Sequence, residues 1–155
     1  MPATLQAELR QTRPFPGRTS EAFVSILRTA AVLEHNMTEA LRPFGITPTQ
    51  SNVLRILRGA GANGMCGREI AERVVARVPD IPRLLERLEG MRLIARERDA
   101  DDRRHVTVTI RPKGLELLDA CWPTVDAVER SRLGRLSERS LVALIDGLAL
   151  IRDSA

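Results

Sequence analysis

The chain has 155 residues, of which 43% are hydrophobic and 28% are charged. This composition is sufficient for one domain with a core and a water-exposed surface. No apolar run approaches the length of a membrane-spanning helix, and the first residues, MPATLQAELRQTRPFPGR, lack the hydrophobic segment of a secretory signal. These features argue against a membrane protein and predict a cytoplasmic location.

Arginine dominates the basic residues: Lys113 is the one lysine among 24 basic side chains, and the net charge is +4. Arginine makes bidentate contacts to phosphate and guanine that lysine does not. An arginine-rich genome would give the same bias, so composition permits nucleic-acid binding without establishing it. The cysteines and histidines (Cys66, Cys121, His35 and His105) are too few and too far apart for a disulfide framework or a zinc site. No metal or cofactor is expected.

The N-terminal part of the chain predicts an arm followed by a long helix. Residues 1–19 contain three prolines and three arginines and have room for a short helix. From Ser20 onwards, apolar residues recur at three- and four-residue spacing, which is typical of an amphipathic helix. Pro43 and Gly45 predict its end.

Three short helices are predicted next. In ITPTQSNVLRILRGAG, Thr47 suits the N-cap, Pro48 the first helical position and Gln50 the capping box. The stretches CGREIAERVVA and PDIPRLLERLEGM also have helical periodicity. The side chains expected to point inward are Val53, Leu54, Leu57, Ile70, Ala71, Val74, Ile81, Leu84, Leu85, Leu88 and Met91. Three short helices, the last rich in arginine, have the order of a helix-turn-helix motif.

A β-hairpin is predicted after these helices. In HVTVTI, residues 105–110, polar and apolar side chains alternate as in a half-buried strand. LIAR, residues 93–96, supplies the second strand. Eight of the nine residues at 96–104 are charged, four positively and four negatively. This nearly neutral segment is therefore predicted to form the tip of the hairpin.

The C-terminal third predicts two further helices. KGLELLDACWPTVDAVERSRL is expected to be kinked or interrupted at Pro123, and Ser137 suits the N-cap of the last helix. The apolar stripes of the N- and C-terminal helices exceed what one small core can cover, and such stripes normally pack against a partner. They predict a homodimer interface. Phe23, Phe44 and Trp122 are interpreted as ordinary core residues.

Four segments, in this order and spacing, resemble the MarR family of bacterial winged-helix transcription regulators: ITPTQSNVLRILRGA, REIAERV, RLLERLEGMRLIARERDADDRR and VTVTIRPKG. The resemblance implies a mainly α fold with a small β-hairpin wing. Its parts would be an arm (1–19), a dimerisation helix (20–44), a winged helix-turn-helix domain (45–111) and C-terminal dimerisation helices (112–155). It also implies a homodimeric repressor of a pseudo-palindromic, double-stranded DNA operator, released by a small-molecule effector. The recognition helix would enter the major groove and the wing the adjacent minor groove.

Two positions depart from the family pattern. Members commonly have Gly before the strand that follows the recognition helix, where this chain has Arg92. A left-handed backbone there would cost roughly 1 kcal/mol, unless Gly90 ends the helix earlier. Many members also carry arginine at the third position of the wing motif, where this chain has Asp101. The wing-tip cation is therefore predicted to be Arg103.

The candidate DNA contacts cluster around the predicted recognition helix and wing. Arg83 and Arg87 are one helical turn apart, and Arg83, near the helix start, is best placed for base edges. In the alternative interpretation both arginines are solvated and pair with Glu86 or Glu89. The complete set of expected DNA contacts is Arg68, Asp80, Ile81, Pro82, Arg83, Arg87, Arg103 and Arg104.

The acidic residues of the wing are interpreted as orienting groups. Asp99 and Asp102 would pair with arginine and fix its planar group, so that Arg103 enters a narrow A·T-rich minor groove. Arg68 and the N-terminus of the helix after Thr47 would hold phosphates. The alternative is a mobile, solvated loop whose ion pairs contribute little.

Two alternative functions remain open at this stage. Cys66 is predicted at a helix N-cap, where a thiol can become sensitive to oxidants, and this suggests a thiol-based redox-sensing regulator. The second alternative is a winged-helix module for protein–protein assembly, a function for which the dimerisation helices alone would suffice. An enzyme is not expected, because the sequence has no recognised nucleophile, metal-binding or nucleotide-binding motif, and no catalytic residue is assigned.

Overall fold

A computed structural model of the chain describes residues 4–98 and 106–153. Within these residues the helices and strands follow the order α1 (Leu5–Glu8), α2 (Arg18–Leu41), α3 (Pro48–Ala60), β1 (Met65–Cys66), α4 (Gly67–Arg73), α5 (Ile81–Gly90), β2 (Ile94–Arg98), β3 (Val106–Ile110), α6 (Pro112–Leu133) and α7 (Glu138–Arg152). The predicted mainly α fold with a small β-hairpin is confirmed. No helix in the described ranges is long and apolar enough to cross a membrane.

The predicted helix starts are confirmed by their hydrogen bonds. Thr47 Oγ1 accepts a hydrogen bond from the N–H of Gln50 at 3.2 Å, and the Gln50 side chain accepts one from the N–H of Thr47 at 2.9 Å. Ser137 Oγ likewise accepts from the N–H of Ser140 at 3.2 Å. Local sequence chemistry therefore determines where α3 and α7 begin.

A three-stranded antiparallel sheet lies beside the short helices, with strand order β1-β3-β2. β2 and β3 form the predicted hairpin, in register from Ile94 opposite Ile110 to Arg98 opposite Val106. β1 was not predicted from the sequence and pairs with β3 at Val108 and Thr107. Gly64, just before β1, has φ 61°, and a Cβ there would lie 2.4 Å from the carbonyl oxygen of Val108, so this close approach requires glycine.

The core is built from α3, α4, α5, the sheet and α6. Its buried side chains include seven of the eleven predicted from α3, α4 and α5, with contributions from Leu93, Ile94, Val108 and Leu118. The prediction that Ala71 points inward was wrong. α4 has only two turns, and it buries Ile70 completely while Ala71, the next residue around the helix, faces solvent.

The long helices α2 and α6 pack together, and the guanidinium of Arg132 in α6 donates a hydrogen bond to Asn36 Oδ1 in α2 at 3.0 Å. Of the two outcomes predicted at Pro123, a kink or an interruption, the interruption was wrong, because α6 runs without a break from Pro112 to Leu133 with Pro123 inside it. Cys121 is buried, and burial raises the pKa of its thiol. Cys121 therefore belongs to the core. Phe44 is partly buried and packs against the core, so it belongs there as well.

Phe23 and Trp122 do not lie in the core of the single chain, which corrects their interpretation from the sequence. Phe23 in α2 is 64% exposed, and Trp122 in α6 is 46% exposed with its ring under the guanidinium of Arg55, 5.8 Å from the ring centroid. The helix α7 has no buried residue at all. Helical periodicity identifies an apolar stripe, but it does not reveal whether the same chain covers that stripe.

The end of α5 has an unusual backbone. α5 ends at Gly90, yet the left-handed residue is Arg92, with φ 61°. The N–H of Arg92 bonds to the carbonyl of Glu89 at 2.8 Å, and the N–H of Leu93 bonds to that of Leu88 at 3.0 Å. This closing pattern normally uses glycine, so Arg92 carries a conformational cost of about 1 kcal/mol.

Candidate nucleic-acid interface

The start of α5 is fixed by an acidic cap. Asp80 Oδ1 accepts a hydrogen bond from the N–H of Arg83 at 3.0 Å, and Pro82 occupies the first turn, where its missing N–H costs nothing. Asp80 and Pro82 are exposed. Ile81 was expected to contact a base, but its side chain is buried in the core. The exposed tip of this helix therefore consists of Asp80, Pro82 and the residues that follow.

Arg83 and Arg87 project into solvent from α5, opposite the buried Leu85 and Leu88. Neither guanidinium forms a hydrogen bond or ion pair with another residue in the described ranges. The alternative in which these arginines pair with Glu86 or Glu89 is not what the structure has, because Glu89 pairs with Arg96 and Glu86 has no ion pair within the described ranges. Two cations one helical turn apart are thus presented on a single open face.

Glu89 connects α5 to the hairpin. Its carboxylate accepts hydrogen bonds from Arg96 Nε at 2.8 Å and from the backbone N–H of Arg96 at 3.3 Å. The guanidinium of Arg96 is partly buried and approaches the same carboxylate to 2.6 Å. These hydrogen bonds from Arg96 hold the pKa of Glu89 below its ordinary value. Sequence reasoning missed this pair because the two residues are seven positions apart and lie in different elements, Glu89 in α5 and Arg96 in β2.

The tip of the hairpin lies outside the described residues. The expected DNA contacts Arg103 and Arg104, and the expected orienting residues Asp99 and Asp102, all fall in this stretch. The described part of the wing ends with Arg98, which is exposed at the end of β2 opposite Val106.

Two further predicted positions lie on the short helices. Arg68 is exposed near the start of α4, and its Nε is 3.2 Å from Glu72 Oε1. An exposed pair of this kind contributes about 0–1 kcal/mol, so Arg68 can exchange it for a phosphate at little cost. The N-terminus of α3 carries the Thr47 cap and, like other helix starts, favours an anion.

Cys66 occupies the predicted N-cap of α4 and also the end of β1. Its N–H donates to the carboxylate of Glu69 at 2.8 Å, and its side chain is partly buried. Among the residues that the structure describes, no group of three or more His, Cys, Asp or Glu side chains could hold a metal ion.

The linker between α4 and α5 adds positions that the sequence did not single out. Asn52 Oδ1, in α3, accepts a hydrogen bond from the N–H of Val75 at 2.9 Å. Arg73 and Arg77, on either side of Val75, are both exposed. No local pattern reveals a contact between positions 23 residues apart, so only the folded chain brings Asn52 to this linker.

Comparisons with known proteins give consistent matches. The sequence profile of the MarR family matches residues 46–106. The transcriptional regulator HosA of Escherichia coli O157:H7 is 33% identical over 92 residues, which cover 59% of this chain and 67% of HosA. A MarR transcription factor from Planctomyces limnophilus is 33% identical and superposes with a TM-score of 0.69, covering 88% of this chain and 99% of that one. The S. aureus MepR–DNA complex gives a TM-score of 0.77 at 25% identity, covering 86% and 98%.

Proposed function

This chain belongs to the MarR family of DNA-binding transcription regulators, and we propose that two copies of it bind one pseudo-palindromic operator as a repressor. In this proposal α5 is the recognition helix in the major groove, and the β2–β3 wing enters the adjacent minor groove. The observation that carries it is the open face of α5. Arg83 and Arg87 are exposed there without protein partners in the described ranges, on a helix fixed to the wing by Glu89 and Arg96.

Each predicted contact has a distinct role in this arrangement. Arg83 and Arg87 reach base edges, where a bidentate contact to guanine is worth about 1–3 kcal/mol of discrimination. Arg68 and the N-terminus of α3 hold phosphates and fix the register without reading sequence. At the wing, Asp99 and Asp102 would orient Arg103 toward the minor groove, and Arg104 would be a further DNA contact.

The proposed homodimer is supported by the exposed apolar side chains of α2 and α7. Phe23 and Leu27 in α2, with Ile145 and Leu150 in α7, are all more than half exposed in the single chain. Large apolar surfaces of this kind mark interaction sites in soluble proteins. A symmetric dimer would place its two recognition helices about one DNA turn, ~34 Å, apart.

Release by a small-molecule effector and a cytoplasmic location complete the proposal, and both rest on family membership. Of the cavities in the described part of the chain, one lies between the arm and the start of α2 and another at the end of α7. Neither lies between the dimerisation helices and the short helices around α5.

The test is binding to the duplex upstream of the chain's own gene, compared with a duplex of scrambled sequence, at several salt concentrations. Phosphate contacts release counterions, so log K should fall linearly with log salt for both duplexes, with tighter binding to the upstream one. A protein that bound neither duplex, or bound both equally at every salt concentration, would contradict the proposal.

A further inference from the structure

The linker between α4 and α5 forms a braced projection. Val74 and Val78 are partly buried and pack against the core, so both ends of the projection are anchored. Between them the chain turns outward, and the side chain of Val75 is 89% exposed. Ala76 and Arg77 are exposed as well. The projection thus presents an apolar side chain and a cation, two positions apart, to solvent.

A side chain from another helix holds this projection in place. The N–H of Val75 donates to Asn52 Oδ1 at 2.9 Å, and no other backbone N–H from 75 to 80 donates to an acceptor in the described part of the chain. Asn52 is itself partly buried in α3, between the buried residues Ser51 and Val53. Between the ends that Val74 and Val78 anchor, the backbone of the projection is therefore held by this hydrogen bond from α3.

The projection lies close to the proposed DNA-binding face. Arg77 precedes the first residue of α5 by four positions, so the two are at most about 14 Å apart. The start of a recognition helix is the part that approaches the bases. Arg73, at the end of α4, and Arg77 have no ion pair with another residue in the described ranges. Two open cations and an apolar side chain thus lie close to the start of α5, on the side of the chain that the proposed function turns toward DNA.

We infer that Asn52 is a positioning residue for DNA binding. It holds the projection so that Arg73 and Arg77 contact phosphates next to the major groove, while Val75 packs against the deoxyribose edge. This inference rests on the proposed function, because it requires α5 to bind DNA. Phosphate contacts carry no sequence information, so the projection contributes affinity and register, whereas specificity stays with α5.

The experiment measures the slope of log K against log salt for the upstream duplex and for a scrambled duplex. Each lost phosphate contact makes the slope shallower by about 1 and weakens binding roughly eightfold at 0.1 M salt. We expect Asn52→Ala to make the slope shallower by about 1 to 2 on both duplexes and to leave their ratio unchanged. The double variant Arg73→Gln/Arg77→Gln should give a slope shallower by about 2. Adding Asn52→Ala to that double variant should change the slope no further.

The matched control is Asn36→Ala, which removes an asparagine hydrogen bond between α2 and α6. A general loss of folded protein lowers the bound fraction but does not alter the slope, so Asn36→Ala should keep the wild-type slope. A wild-type slope for Asn52→Ala would overturn the inference even if the double-arginine variant gave a shallower slope, and so would a wild-type slope for the double-arginine variant. Absence of salt-dependent binding by the wild type would instead overturn the proposed function.

Discussion

The carboxylate of Glu89, in the last turn of α5, accepts hydrogen bonds from both the guanidinium and the backbone N–H of Arg96, the third residue of β2. The backbone bond fixes the position of the strand, and the guanidinium bond fixes its orientation. A charge-assisted pair that is partly shielded from water is stronger than a neutral hydrogen bond. α5 and the hairpin are thereby joined at their common base, so in the proposed function they would approach DNA as one unit.

Glu89→Gln is expected to destabilise the chain by about 1 kcal/mol at neutral pH, because it removes the charge from this pair. The pKa of Glu89 is lowered in the folded chain, so its contribution is complete above about pH 4.3, the ordinary value for glutamate. The contribution is lost as the pH falls through the lower, folded-state value. Urea unfolding of wild type and variant across this range should therefore show a difference at pH 7 that closes in acid.

Glu86→Gln is the control, since Glu86 is an exposed carboxylate on the same helix. It should leave the unfolding free energy almost unchanged at every pH. Equal destabilisation by the two variants would mean that net charge on α5, and not the contact with Arg96, is responsible.

Most of the fold could be predicted from the sequence because its signals are local. The Thr47–Gln50 capping box and the Ser137 cap involve neighbours three residues apart, and the alternation in Val106–Ile110 describes a single strand. β1 was missed because two residues are too few for a periodic pattern. Its strand character comes from pairing with Val108, more than forty residues away.

The candidate site was predictable in part, for the same physical reason. Arg83 and Arg87 share a face by helical geometry, which the sequence fixes. Ile81 is apolar at a helix start, and the sequence alone did not separate a base contact from core packing. The roles of Arg96 and Asn52 arise from tertiary hydrogen bonds, and no local pattern in the sequence encodes them.

Arg92→Gly should stabilise the chain by about 1 kcal/mol, because glycine adopts a positive φ without the steric cost that Arg92 bears. The midpoint of urea unfolding measures the change. Arg92→Ala removes the same side-chain charge but keeps a Cβ, so it should give no comparable gain. Equal stabilisation by both variants would assign the effect to charge rather than to backbone conformation.

Leu150→Asp should dissociate the proposed homodimer. Leu150 is 75% exposed on α7, and burying a leucine in an interface is worth about 1.5–3 kcal/mol. A symmetric dimer loses this leucine contact twice, once from each subunit, so the dissociation constant should rise at least about a hundredfold. Analytical ultracentrifugation over a concentration series gives this constant. Val75→Asp places the same charge on another highly exposed apolar residue, on the linker before α5, and should leave the dimer intact. A wild-type constant for Leu150→Asp would place the interface elsewhere.

Arg83→Ala should remove sequence preference while retaining non-specific binding. The upstream duplex should be bound about 10- to 100-fold more weakly, which corresponds to the loss of one bidentate base contact. Binding to the scrambled duplex should change far less, because phosphate contacts supply it. Arg28→Ala removes an exposed arginine from α2 and controls for net charge. If the two variants lost the same affinity on both duplexes, Arg83 would be one more general cation.

The role of the wing is tested by combining the Arg103→Ala substitution with a change in the base pairs of the bound duplex. Arg103 is predicted to enter a narrow minor groove, whose negative potential is strongest at A·T pairs. Replacing the flanking A·T pairs of the bound duplex by G·C should therefore weaken the wild type, and should have little further effect on Arg103→Ala. Competition binding gives the affinity of each of the two proteins for each of the two duplexes. The coupling free energy between the Arg103→Ala change and the A·T-to-G·C change should be about 1 kcal/mol or more. A coupling near zero would mean that Arg103 contacts phosphate alone, and the wing would then add affinity without contributing to specificity.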